Sequence, residues 1–82
     1  MAKLYEITII DNDSVLYTGK ISSLTAGFSG GSAQILADHA PFAALTKAGA
    51  VKLCDDKGKT LPVELPRKGF FHFLNNRAIL VL

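Results

Sequence analysis

Three side chains in this 82-residue sequence have the chemistry of soft-metal ligands or of a nucleophile with its base: His39, Cys54 and His72. None stands at a paired spacing such as C-x-x-C or H-x-x-x-H, so a zinc site would have to be assembled wholly by the fold. Cys54 precedes Asp55 and Asp56, whose charges raise rather than lower a thiol pKa, and it reads as a strand cysteine rather than a nucleophile. Asp11, Asp13, Asp55 and Asp56 cluster in turn-like stretches, where solvent screens them and no cleft excludes water, and they read as turn formers. The glycines at 27, 30 and 31 could open a phosphate cradle. No Gly-Lys-Ser/Thr ending follows them and no helix begins there, so a turn is the better reading. His39 in His39-Ala40-Pro41 is either a corner histidine bonded to its local backbone or part of a contact surface. The sequence contains no constellation that performs catalysis.

The elements that must position these residues are strands. Residues 4–10 are rich in β-branched and aromatic side chains and close on the turn cluster Asp11-Asn12-Asp13. Residues 15–25 alternate loosely, with a phase change that places a bulge at Gly19. Residues 27–31 form a glycine loop, and an extended segment resumes at 32–36. Pro41 biases Ala40 away from helix, which makes residues 39–41 an extended corner. Residues 42–46 and 50–54 read as strands on either side of Gly49, and 55–58 as a hairpin turn. Residues 60–65 and 69–74 are two more strands, and Asn75-Asn76 turns the chain into a last one from Arg77. The alanines at 42–51 compete for helix, but Pro41 and Gly49 leave barely two turns. Seven or more short strands with no amphipathic helix predict one all-β domain over residues 1–82, an antiparallel sandwich or barrel.

Composition bounds the function. Folding a chain this short buries only about 60–65 % of the surface its unfolded form exposes, yet 49 % of its residues are apolar, so some large apolar side chains must stay outside. A contiguous patch of them is a partner surface. Residues 1–46 carry two cations against four acids, and residues 47–82 carry seven against three, within a net charge of +2. The cations are dispersed, without the dense basic stripe of a nucleic-acid binder, so no nucleic-acid partner is expected. A single cysteine forbids an intrachain disulfide, and no signal pattern opens the chain, which predicts an intracellular protein.

One stretch carries more than this. Residues 30–49 read GGSAQILADHAPFAALTKAG. The segment from Gly31 to Pro41, followed by Lys47-Ala48-Gly49, resembles the epsilon subunit of F-type ATP synthases (delta in mitochondria), whose members read G-E-L-G-I-L-P-G-H-A-P and then K-P-G. Lys68-Gly69-Phe70-Phe71-His72-Phe73-Leu74-Asn75-Asn76 resembles the family's G-G-F-L-E-V and its following turn, and Ala78-Ile79-Leu80-Val81 its V-T-V-L strand. The resemblance spans essentially the whole chain in order. It departs at Ser32, where the family has an acid, at Gln34 for a glycine, and at Ala37-Asp38 for Pro-Gly.

The resemblance implies an antiparallel β-sandwich of about ten short strands. It implies a non-catalytic rotor part of the central stalk, without cofactor or metal, that binds the gamma subunit and the c-ring and couples proton flow to ATP synthesis. Carried over by position, Ser32 and His39 face the c-ring, and Phe42 and Ala43 lie near gamma. It places the protein on the cytoplasmic side of the bacterial inner membrane, peripheral through the complex. Family members continue into an αα-hairpin that restrains ATP hydrolysis; this sequence ends in a strand, which implies a coupling module without that arm. The alternatives are an unrelated small β-barrel or sandwich module that binds another protein, and a cupin-like enzyme. The latter needs converging His and Glu ligands, and the chain offers two histidines with Glu6 and Glu64.

Overall fold

The computed structural model describes residues 3–82, and its side chains alternate between buried and exposed with the period of two that strands impose. Nine strands follow in chain order: β1 (Tyr5–Asp11), β2 (Ser14–Ile21), β3 (Ser23–Phe28), β4 (Gly31–Leu36), β5 (Phe42–Thr46), β6 (Gly49–Cys54), β7 (Thr60–Leu65), β8 (Gly69–Leu74) and β9 (Arg77–Val81). No helix occurs among the described residues. The sheet runs β2-β1-β9-β8-β5-β3-β6-β7, with β4 on the other edge of β3. The link between β5 and β3 is a single pair, Phe28 with Thr46. Two halves therefore fold over one core, β2-β1-β9-β8-β5 on one side and β4-β3-β6-β7 on the other.

Phe71, Phe73, Ile7, Ile9 and Leu80 supply the core from the first half, and Leu24, Phe28, Ile35, Val51, Leu53 and Leu65 from the second. Tyr5 crosses between them. Its ring meets Phe73 edge to face at 5.1 Å, and its hydroxyl donates a 2.7 Å hydrogen bond to the Ile35 carbonyl of β4. Burial pushes that hydroxyl's pKa well above the ordinary tyrosine value, outweighing a backbone hydrogen bond that pulls it down, so the phenol stays protonated and able to donate.

The sandwich agrees with the sequence reading, and several details correct it. Pairing is antiparallel except between β1 and β9, which run parallel; strands so far apart in sequence need no hairpin, so their directions are independent. The bulge is not at Gly19, which pairs regularly with Ile7. It lies where the register slips between Ile9 and Ile10, opposite Tyr17 and Val15. The phase change near Leu24 is instead a crossover. At Ser22 the chain leaves β1 for the other half, its amide donating to the Cys54 carbonyl at 2.7 Å and its hydroxyl to the same oxygen at 3.1 Å. Gly27 and Phe28 belong to a strand rather than to a loop, because Phe28 packs its ring on Phe42 and Phe71 at 5.2 and 5.6 Å.

The turns follow their residue types. Asn75 and Asn76 take φ of 51° and 59°, the left-handed pair that a two-residue type I′ hairpin requires. Asp55 caps the β6–β7 turn by accepting from the amides of Lys57 and Lys59 at 2.9 and 2.8 Å, and Asp11 pairs with Arg67. Pro62 sits on β7, the sheet's edge, where a missing amide costs no ladder bond.

Candidate functional site

His39 follows a tight turn at Ala37-Asp38 that ends β4. Its Nδ1 donates to the carbonyl of Ala40 at 2.7 Å, which leaves Nε2 as the ring nitrogen not engaged by that bond. The exposed ring stands edge-on to Phe42 at 5.6 Å and to Phe73 at 6.0 Å, so the corner seals one end of the aromatic core. Asp38 lies in the left-handed region at φ 64°, at the position where the resembling motif has glycine. Its carboxylate takes both oxygens to Lys3 Nζ at 2.9 and 3.0 Å. Asn76 completes the contact: its Oδ1 accepts from the Asp38 amide at 2.7 Å and its Nδ2 donates to the Asp38 carboxylate at 2.9 Å. Hydrogen bonds from Lys3 and then Asn76 hold the Asp38 carboxyl below the usual carboxylate range.

Ser32 is the second residue of β4, next to the glycine turn. With Phe28, Gly30, Gly31, Phe42 and Ala44 it borders a cleft of about 400 Å³. This is where the sandwich is open, because the free edge of β4 does not reach β5. Phe42 meets both regions, bordering the Ser32 cleft and standing against the His39 ring, while Ser32 and His39 lie at opposite ends of β4. Ala43 points the other way, since consecutive strand residues point to opposite faces: Phe42 is half-buried against the core and Ala43 lies outside.

Ala43 belongs to a surface that the sequence reading missed. Cross-strand partners on the outer face of β5, β8, β9, β1 and β2 form an unbroken apolar row, Leu45, Phe70, Val81, Ile10 and Val15. At the usual strand spacing the row is about 19 Å long. Leu45 is 56 % exposed, Phe70 46 %, Val81 45 % and Val15 58 %. A second row beside it runs Ala43, His72, Ile79, Thr8 and Thr18, and a third is charged, with Arg77, Glu6 and Lys20 beyond Leu74. Scattered exposed apolar residues are ordinary, whereas a contiguous row across five strands marks a docking surface. A trace of it stands in the sequence. A strand with one solvated face alternates apolar with polar, yet β8 (GFFHFL) and β9 (RAILV) are apolar on both phases.

The residues with reactive chemistry do not converge. His72 is on the outer face, His39 at the corner, and Cys54 at the end of β6 in the other half. Among the described residues no three His, Cys, Asp or Glu side chains group as a metal site would.

No protein-family model matches the sequence. The chain is 31 % identical over 81 residues to an ATP synthase epsilon chain of Chlorobium limicola, covering 96 % of this chain and 89 % of that one. A second, from Chlorobaculum tepidum, is 32 % identical over the same span and coverage. Among solved structures, a chain of the Euglena gracilis mitochondrial ATP synthase, in its OSCP/F1/c-ring assembly, superposes with a TM-score of 0.83 at 17 % identity over 92 % of this chain. One from the Tetrahymena thermophila mitochondrial ATP synthase central stalk and c-ring superposes with a TM-score of 0.73 at 16 % identity over 98 %. This chain spans 48 % and 63 % of those two chains. The structural likeness carries the fold, and the identity sustained over 81 residues carries the kinship: the chain belongs to the ATP synthase epsilon chain family.

Proposed function

We propose that the protein is a non-catalytic rotor part of the ATP synthase central stalk, held to the gamma subunit through its outer apolar face and resting on the c-ring through its corner and glycine turn. Membership of the epsilon family supports the assembly, and the apolar row from Leu45 to Val15 is the observation that carries the gamma contact. A rotor joint must transmit torque without slipping. A face carried on five hydrogen-bonded strands, with Phe70 its largest side chain, gives a large non-directional contact, and the charged row with Glu6, Arg77 and Lys20 forms a polar rim on one side. Ala43 lies on this face. Phe42 stiffens the cleft from within instead.

The c-ring contact calls for small, polar groups that meet polar loops. Ser32 with the glycine turn, and the unengaged Nε2 of His39, fit that need. In this reading the domain stands at the cytoplasmic side of the bacterial inner membrane and is held there by the complex; no helix among the described residues is long and apolar enough to cross a bilayer. Proton flow through the ring then turns gamma by way of this domain, and no step of catalysis falls to it.

Titrating the domain with gamma and with detergent-solubilised c-ring separates the two contacts. Phe70→Glu should weaken gamma binding by at least about a hundredfold while His39→Ala leaves it unchanged, and Ser32→Glu should act on the ring alone. A folded domain that binds neither partner overturns the reading.

A further inference from the structure

We propose that Asp38, Asn76 and Lys3 form a lock that presets the corner at His39 for its contact, making Asp38 and Asn76 positioning residues of the c-ring surface; the inference rests on the assignment of that corner to the ring. Three segments distant in sequence meet at Asp38. Lys3 lies just before β1, Asp38 ends the turn after β4, and Asn76 is in the β8–β9 hairpin. The exchange between Asp38 and Asn76 is reciprocal, amide to side-chain oxygen at 2.7 Å and side-chain nitrogen to carboxylate at 2.9 Å. Asn76 is anchored in turn, because its own carbonyl accepts from the Glu6 amide at 3.2 Å.

Both residues of the pair hold left-handed backbone, Asp38 at φ 64° and Asn76 at φ 59°. At Asn76 the type I′ hairpin fixes that conformation; at Asp38, one of the few Cβ-bearing types that visit it, no such turn does, and the surroundings must hold it. Packing does not fix it here, since Asp38, His39, Ala40 and Pro41 are all exposed. The side-chain hydrogen bonds do. They set the direction in which the chain enters His39, and with it the seating of the ring on Phe42 and Phe73. Without them the corner would sample several conformations, and a partner would have to order it on binding, which costs affinity.

Asp38→Gly tests this cleanly, because glycine keeps the left-handed geometry accessible while deleting the carboxylate. In the isolated domain the variant should exchange its amide at position 39 about tenfold faster, and the His39 ring protons should lose the shifts imposed by the neighbouring phenyl rings. C-ring affinity should fall by about tenfold and gamma affinity should hold. Asp38→Asn, which keeps an acceptor, should restore both signals, and Asn76→Gly should reproduce the loss without adding to it in the double variant. Unchanged exchange and ring shifts in Asp38→Gly overturn the lock. A loosened corner with undiminished c-ring affinity overturns its role in positioning. If the wild-type domain does not bind the ring, the assignment of function fails, and the spectroscopic arm still decides whether the lock exists.

Discussion

The outer apolar face and the His39 corner are built by different means. On the face, position is set by strand register: Leu45, Phe70 and Val81 stand in a row because β5, β8 and β9 pair as they do. At the corner no ladder reaches, and position is set by directional hydrogen bonds among Lys3, Asp38 and Asn76. A face held by register keeps its shape when one of its side chains is replaced. A corner held by side chains loses its shape with them. Substitutions on the face should therefore act on binding while sparing the fold, whereas those at the corner act on local geometry first.

The sharpest contrast lies between adjacent residues of β8. Phe71 is fully buried and Phe70 faces outward. Phe71→Ala should cost about 3–5 kcal/mol in urea unfolding, enough to threaten so small a domain. Phe70→Ala should change stability by less than about 1 kcal/mol while weakening gamma binding at least about tenfold. Equal losses of stability would mean that the outer face is part of the core rather than a surface.

Gly69, one residue earlier, tests the register itself. A Cβ there would come within 2.9 Å of the Val81 carbonyl oxygen, a backbone atom that cannot move without shifting β9. Gly69→Ala should destabilise by about 1–3 kcal/mol and, by displacing Val81, also weaken gamma binding. Thermal unfolding paired with gamma titration reads both effects. A variant as stable as wild type would show that the β8–β9 contact is looser than the ladder implies.

Much of this organisation stands in the residue string, and what does not is long-range. Pro41, Pro66 and Asn75-Asn76 punctuate the chain, so β5, β7 and β8 begin and end where the composition says. The outer row could not be read, because it exists only once β1 is known to lie beside β9, a parallel pairing between the two ends of the chain that no local signal announces. The crossover at Ser22 was hidden for the same reason: a phase change within a strand and a passage between sheets look alike until the partners are known. At the site, alternation within β5 already separates Phe42 from Ala43, whereas the meeting of Asp38 with Asn76 joins residues 38 positions apart and depends on tertiary folding.

Tyr5 measures how firmly the two halves are joined. Tyr5→Phe removes the hydroxyl's hydrogen bond to the Ile35 carbonyl and should cost about 0.5–1.5 kcal/mol. The raised folded pKa also gives a signed pH dependence. Below the ordinary tyrosine value of about 10, both states hold the proton and the contribution is complete. Above it the unfolded chain ionises first, so stability falls by up to about 1.4 kcal/mol per pH unit until the folded phenol also ionises. Urea midpoints of wild type and Tyr5→Phe should converge as the pH rises above 10; parallel curves would mean that the hydroxyl is not held protonated in the core.

The smallest effect belongs to the corner and has the opposite sign. The Asp38 carboxyl titrates lower in the folded protein than in the unfolded chain, because Lys3 and Asn76 bond its ionised form. Its contribution is therefore present above about pH 4, the ordinary aspartate value, and is lost as the pH falls through the folded value. Asp38 is open to solvent, so global stability barely registers the change. The geometry does: protonation removes the partner of Lys3 and weakens the acceptor for Asn76. Acidification below pH 4 should bring the amide exchange and His39 ring shifts of wild type toward those of Asp38→Gly, while the ring contacts of Tyr5, Phe71 and Phe73 stay as they are. Raised salt at neutral pH should loosen the Lys3 bonds alone and leave the Asp38–Asn76 pair intact, so an equal response to salt and to acid would assign the lock to Lys3 rather than to the reciprocal pair.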